Sequence, residues 1–339
     1  MIRIENLCKK YDGREGLVTA VADVSFEVEE GQICVLLGPS GCGKTTTLKM
    51  INRLIEPTSG KVHIDGRDTT GMDTVTLRRS IGYVIQVGLF PNMTVEDNIC
   101  VVPDLLGWPR DKSRKRAGEL LEIVALDPEQ FLKRFPKELS GGQQQRVGVA
   151  RALAADPPVM LMDEPFGAID PINREIIQDE FMRIQRHVRK TVLFVSHDID
   201  EAVKMADKVA VFRAGRIEQF GSPDDLLARP ANKFVAEFMG SDRALKRLRL
   251  MRAGGIARRS LNGGGDGIKV DTDADGRIVG QVPLCVGAAD DLRQVLSAQF
   301  ARGTSWAACV DTDGRFAGYV MQADILANLV EATEVRGGV

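Results

Sequence analysis

No run of about 18 or more apolar residues interrupts the 339-residue chain, so no membrane-spanning helix of its own is expected. An excess of charge of one sign is also missing. Lys and Arg number 45 and Asp and Glu 47, a net charge of −2 that supplies no global pull toward nucleic acid or anionic lipid. The opening Met1-Ile2-Arg3-Ile4-Glu5 has neither the charged nor the apolar stage of a secretory leader, and none is expected. Cys8, Cys34, Cys42, Cys100, Cys285 and Cys309 are scattered without the spacing of metal ligands. A reduced protein of the cytosol is the simplest expectation.

What is present is an ordinary globular composition, 44% hydrophobic and 27% charged. The length accommodates one large α/β domain and a smaller second one. Short apolar runs alternate with longer helix-like stretches through roughly the first 240 residues. Ile33-Cys34-Val35-Leu36-Leu37, Val159-Met160-Leu161-Met162 and Thr191-Val192-Leu193-Phe194-Val195 each end at polar or glycine residues. That pattern predicts strands buried on both faces of a mainly parallel sheet. In such folds ligands bind at the carboxyl ends of the strands, and a chemical motif follows each of these three runs.

After the first run, Gly38-Pro39-Ser40-Gly41-Cys42-Gly43-Lys44-Thr45 fits the phosphate-binding loop pattern in full. Its glycines let backbone amides turn inward around phosphate oxygens, and the following helix points its positive end at the same anion. Lys44 is expected to reach the β- and γ-phosphates, and the Thr45 hydroxyl to hold Mg²⁺. After the second run, Asp163 is placed to bind Mg²⁺ through water. Glu164, one residue further out, can polarise an attacking water. After the third run stands His197. A lone histidine after a strand is commonly structural, but at this strand end it can donate to a terminal phosphate and orient the water. Cys42 sits beside a helix N-terminus and Lys44, a setting that favours thiolate; an inert side chain filling the loop is the alternative.

Leu139-Ser140-Gly141-Gly142-Gln143 precedes a second helical stretch and makes a second anion-binding terminus. One terminal phosphate thus has two candidate cradles in one chain.

The order phosphate loop, Gln86, Leu139-Ser140-Gly141-Gly142-Gln143, Asp163-Glu164, His197 resembles the ABC ATPase family over about residues 1–240. The resemblance implies an α/β P-loop cassette with a helical subdomain over about 88–155. It implies a head-to-tail homodimer in which each ATP lies between one subunit's phosphate loop and the other's signature. Gly38, Pro39, Ser40, Gly41, Cys42, Gly43, Lys44, Thr45 and Thr46 would line the nucleotide. Ser140, Gly141, Gly142 and Gln143 would act on the partner's ATP. By the same resemblance Tyr11 would stack on adenine, and Gln86 would touch Mg²⁺ and relay to a membrane subunit. Asp170 would lie in the loop that crosses the dimer interface. Gly167-Ala168-Ile169 stands there in place of the commoner Ser-Ala-Leu.

Three stretches resemble the branch that imports quaternary amines such as glycine betaine, choline and carnitine. They begin at Lys49-Met50-Ile51-Asn52-Arg53, Gln86-Val87-Gly88-Leu89-Phe90 and Glu164-Pro165-Phe166-Gly167. This implies integral membrane permease partners, an extracytoplasmic substrate-binding protein acting indirectly, no nucleic acid, and a peripheral place on the cytoplasmic face of the inner membrane. Importers of another small solute and non-transport ABC ATPases are the alternatives. ABC ATPases of DNA repair or chromosome structure usually carry a long coiled-coil insertion, and 109–135 has no sustained heptads. Translation-factor members usually carry two cassettes in one chain; here there is one.

Beyond residue 240 the character changes. Residues 241–262 are expected as a basic linker, with seven Lys or Arg and one acid between Ser241 and Arg259. Leu245, Leu248 and Met251 fall at helical spacing. A solvated helix and a membrane-surface or charge-sensing element are both open. Gly263-Gly264-Gly265 reads as a hinge, and 263–339 as a small α/β domain. Its Asp273-Ala274-Asp275-Gly276-Arg277 is echoed by Asp311-Thr312-Asp313-Gly314-Arg315, both read as turns between strands. The stretch from Val310 to Val320, followed by Ala323-Asp324-Ile325-Leu326, resembles a CBS motif. The upstream copy lacks the closing Asp-Ile-Leu, so sensing, dimerising and purely structural roles stay open.

Overall fold

We describe the protein from a computed structural model, which defines residues 1–13, 16–85, 88–167, 169–258 and 268–331. Gln86, Ala168, Arg259 and the expected hinge at Gly263-Gly264-Gly265 lie outside the described residues. The chain divides into two compact units, Met1–Ser222 and Pro223–Val339. Residues 223–240, expected with the cassette, and the basic segment that follows therefore both fall in the second unit. Among the described residues no helix is long and apolar enough to cross a membrane.

The first unit opens with an antiparallel sheet. Strands β1 (Ile2–Gly13) and β2 (Gly16–Val28) pair with each other, and β4 (Ser59–Ile64) and β5 (Arg67–Asp68) extend the sheet in the order β2-β1-β4-β5. The larger sheet holds β3 (Ile33–Leu37), β6 (Ile81–Ile85), β7 (Val159–Asp163), β8 (Thr191–Ser196), β9 (Lys208–Arg213) and β10 (Arg216–Gly221). Its order is β10-β9-β3-β8-β7-β6, and every pairing except β9 with β10 is parallel. Every residue of β3 and β8 is buried, as are the first four of β7. This explains their unbroken apolar runs, because a central parallel strand has no solvent face on which polar residues could alternate. The three runs read as strands from the sequence are thus β3, β7 and β8.

Helices α1 (Lys44–Ile51), α2 (Thr74–Arg79), α7 (Pro171–Val188) and α8 (Ile199–Met205) follow strands or turns of this unit. Between β6 and β7 lies an all-helical stretch of α3 (Val95–Leu105), α4 (Arg110–Ile123), α5 (Pro128–Phe131) and α6 (Gly141–Leu153). Its starts are encoded locally. The Thr94 hydroxyl accepts from Asp97 N–H at the head of α3, and Asp127 caps α5 in the same way.

The second unit contains α9 (Pro223–Ala228), α10 (Lys233–Met239), α11 (Arg243–Arg247), α12 (Ala253–Ile256), α13 (Leu292–Arg302) and α14 (Gln322–Glu331). Its sheet runs β11 (Cys285–Gly287), β12 (Trp306–Val310), β13 (Phe316–Met321), parallel and then antiparallel. The basic segment is two short helices, α11 and α12, rather than one. Leu248 between them is 1% exposed in a core with Val286, Leu292, Val295, Ala307, Val320 and Ile325. Met251 packs against the same core, and turns at 248–250 separate the two helices. The two echoed Asp-Gly turns meet in space: Arg277 bridges Arg315, and Phe316 N–H donates to Gly276 O at 2.8 Å. Only the second turn joins two regular strands; the first carries a single bridge, Thr272 to Ile278.

Candidate functional site

Parallel pairing brings the motif-bearing strand ends together. Leu37 at the end of β3 lies opposite Ser196 on β8, and Asp163 at the end of β7 lies opposite Val195. The loops that follow these strands therefore open side by side.

The phosphate loop depends on glycine at two positions. Gly38 has φ +152°, and a Cβ there would come within 2.5 Å of Phe212 O; Gly43 has φ +104°, with Ala20 O at the same distance. A side chain at either position would push the loop away from the strands that hold it. Gly43 caps α1 without any side-chain hydrogen bond. The first turn's amides thus keep their donors available to an anion. Lys44 is 5% exposed. Its ammonium donates to Gly38 O at 2.7 Å and Pro39 O at 2.9 Å, and lies 3.6 Å from Cys42 Sγ. Among the described residues no carboxylate pairs with it. A buried cation with only neutral partners is costly unless an anion completes it. This loop is therefore fitted to phosphate. Cys42 is 4% exposed and belongs to the apolar core, so its thiol does not face solvent. Pro39, Ser40 and Gly41 are exposed on the loop's outer rim, with Thr46 half-buried behind it.

The Thr45 hydroxyl donates to Asp163 Oδ1 at 2.9 Å. Two hard oxygens so close suit a hydrated Mg²⁺ that takes its remaining ligands from phosphate and water. No group of three His, Cys, Asp or Glu side chains that could hold a metal occurs among the described residues. The donor set fits magnesium shared with a nucleotide, not a protein-enclosed metal. Gln86, the other residue expected at the metal, lies outside the described residues.

Glu164 adopts a left-handed backbone, φ +47°, and its N–H donates to Val195 O at 3.2 Å. Such a conformation costs a non-glycine residue energy and recurs at functional positions. Its Oε1 lies 3.5 Å from His197 Nδ1, with both side chains open to solvent. Carboxylate and imidazole thus share the mouth of the site with Lys44 and the Thr45–Asp163 pair.

Ser140 heads α6 with a reciprocal box: Gln143 N–H donates to its Oγ at 3.3 Å, and Ser140 N–H donates to Gln143 Oε1 at 2.9 Å. Ser140 and Gly141 are exposed, Gly142 and Gln143 half-buried. Among the described residues no hydrogen bond or ion pair joins 140–143 to the loop at 38–45. Within one copy the two cradles thus share no such bond. Tyr11 is 40% exposed on β1, with the Lys9 ammonium 5.0 Å from its ring centre. Asp170 immediately precedes α7.

Two features escape a reading of the sequence. Ser196 and Asp198, flanking His197, are held by Glu201, Gln178 and Arg174. Burial pushes the Glu201 carboxyl upward, opposed by the Ser196 hydrogen bond. The available signal is spacing: Arg174 and Gln178 are one helical turn apart. The other feature is a groove of about 400 Å³ lined by Asn52, Leu54, Arg78, Tyr83, Phe90 and Arg151, among others. Phe90 and Leu54 are exposed, and the Arg151 guanidinium lies 5.4 Å from the Phe90 ring centre while donating to Gly88 O. Its parts are scattered between residues 52 and 157, so no contiguous motif announces it.

A family profile described as ABC transporter matches residues 21–167. The osmoprotectant import ATP-binding protein OsmV of Salmonella typhimurium is 52% identical, the match covering 99% of this chain and 98% of that protein. The glycine betaine/carnitine/choline transport ATP-binding protein OpuCA of Bacillus subtilis is 54% identical over 73% of this chain and 64% of its own length. Among solved structures, the dimeric ATP-binding cassette MJ0796 in a post-hydrolysis state with ADP and phosphate is 35% identical. It superposes with a TM-score of 0.58 over 66% of this chain and 98% of that chain.

Proposed function

Because the chain belongs to the ABC transporter family of ATP-binding subunits, we propose that its ATP hydrolysis drives uptake of a quaternary amine osmolyte of the glycine betaine, choline or carnitine class. The observation that carries the catalytic reading is the convergence of Lys44, Thr45, Asp163, Glu164 and His197 at the ends of three adjacent parallel strands. The substrate class rests on the similarity to OsmV and OpuCA, whose names give osmoprotectant, glycine betaine, carnitine and choline.

In this reading the loop amides of 38–45 and the Lys44 ammonium hold the β- and γ-phosphates and take up charge as it spreads over the transferring group. Thr45 and Asp163, with Gln86, would hold Mg²⁺, which when bound neutralises phosphate charge. Glu164 accepts a proton from the attacking water, and His197 orients that water against the γ-phosphate. Tyr11 carries the adenine. Ser140, Gly141, Gly142 and Gln143 cover the ATP of a second copy, a reading supported by the dimeric state of the MJ0796 cassette. The loop of Asp170 crosses between the copies.

The groove beside Phe90 receives the permease, which anchors the subunit at the cytoplasmic face of the inner membrane. Its mainly apolar lining and the Arg78, Arg79 and Arg151 cations suit a short amphipathic helix. A substrate-binding protein outside the membrane acts through that permease. The test is ATPase activity of permease-containing vesicles with and without glycine betaine and its capture protein. Stimulation that vanishes in Glu164→Gln supports the whole reading. Basal activity that no betaine, choline or carnitine alters discards the substrate and keeps the ATPase.

A further inference from the structure

His197 is asked to orient a water, yet its own side chain is 59% exposed, and the carboxylate that faces it, Glu164, stands 3.5 Å away. Its orientation must therefore come from its chain neighbours, and both are tied down. On one side, the Ser196 hydroxyl donates to Glu201 Oε2 at 2.6 Å and accepts from Asp198 N–H at 2.9 Å. The second Glu201 oxygen accepts from Gln178 Nε2 at 3.2 Å. Ser196, Glu201 and Gln178 are all buried. On the other side, Asp198 Oδ1 caps α8 through the N–H groups of Asp200 and Glu201. Its Oδ2 faces Arg174 Nη1 at 3.4 Å. The same guanidinium donates through Nη2 to Ile169 O at 3.0 Å.

Arg174 and Gln178 stand four apart on α7 and so share one helix face. They meet Asp198 and Glu201, three apart at the head of α8. The arrangement is a two-by-two clamp with a buried hydrogen-bonded acid at one corner. We propose that Arg174 and Gln178 are positioning residues that clamp the His197 loop to α7, so that the helix beginning at the Asp170 loop sets the orientation of the histidine. A shift of that loop then reaches His197 through Arg174, which holds the carbonyl of Ile169 and the carboxylate of Asp198 at once. The inference rests on the catalytic reading above and adds to it the group that aims the histidine.

The test is steady-state ATP hydrolysis by the full chain and its Arg174→Ala, Arg174→Lys, Glu201→Ala and Glu201→Gln variants, with thermal melts alongside. A displacement of about 1 Å at a reacting group can cost about 100-fold. The alanine variants should therefore lose about tenfold or more in kcat while KM for ATP stays within about twofold. Glu201→Gln should recover most of the loss, because its amide can still pair with Ser196 and with a flipped Gln178 amide. Arg174→Lys, a single-point donor, should recover part. Wild-type kcat in Arg174→Ala, or a loss carried by KM, overturns the clamp, as does a loss in Glu201→Ala that Glu201→Gln leaves unrepaired. If the wild-type chain hydrolyses no more ATP than Glu164→Gln, the catalytic reading fails and the clamp with it; failure of the variants alone removes only the clamp.

Discussion

The two units handle charge in opposite ways. Among the described residues the first unit buries a lysine and a glutamate, Lys44 and Glu201, and the second buries a single polar side chain, Gln299. In the second unit charges find partners near the surface: Lys246 with Asp242, Arg247 with Asp224, Arg258 with Asp324. The first unit leaves Lys44 with two carbonyls and the Cys42 sulfur, and with no carboxylate among the described residues. A unit with an uncompensated buried cation is shaped around an anion.

The sharpest way to break this contrast is Lys44→Ala. Removing one preorganised donor from a developing charge typically costs about 100- to 1000-fold in turnover, and single-turnover assays should read a loss of that size. A loss under tenfold would mean that the loop amides alone suffice. Next in size is Leu248→Ala, which truncates a fully buried side chain of the second unit's core. It should cost that unit about 3 kcal/mol of stability, in the range measured for buried leucines. Calorimetry should find that melting transition lowered, and a neutral result would return the basic segment to the status of a solvated linker.

Gly38→Ala sharpens the first unit's side of the comparison. The added methyl meets Phe212 O at 2.5 Å on a backbone with φ +152°, so a loss of about 1–3 kcal/mol is expected. Denaturant titration would read it, and ATP should restore less stability than it does to wild type. The smallest effect belongs to Arg258→Met. Its pair with Asp324 is two-pronged, at 2.6 and 2.8 Å, but half in solvent. Such pairs contribute at most about 1 kcal/mol, so a drop above that in thermal or denaturant melts would mean the second unit depends on its surface charges more than their exposure suggests.

Legibility followed contiguity. Gly38 to Thr45, Asp163-Glu164 and Ser140 to Gln143 could be read because each forms one local structure, respectively a turn, a strand end and a helix cap. The strands were legible for a related reason, since full burial erases the polar alternation that would otherwise blur them. The helix expected across Leu245, Leu248 and Met251 was not, because it ends at Arg247 and the Leu, Lys, Arg and Met that fill the run all favour helix and so mark no stop. The clamp of Arg174, Gln178, Ser196 and Glu201 left no contiguous trace, and neither did the groove at Phe90.

By itself the sequence determined the family, an ABC ATP-binding cassette, and that its larger sheet is mainly parallel. Those properties reside in residue types and short spacings, which survive without coordinates. Only the tertiary structure decided which loops stand side by side, that Lys44 is buried with no carboxylate partner among the described residues, and what fixes the His197 loop. These depend on strand order and on pairings between residues far apart in the chain, and hydrogen bonds of that kind exist only once the sheet has brought their ends together.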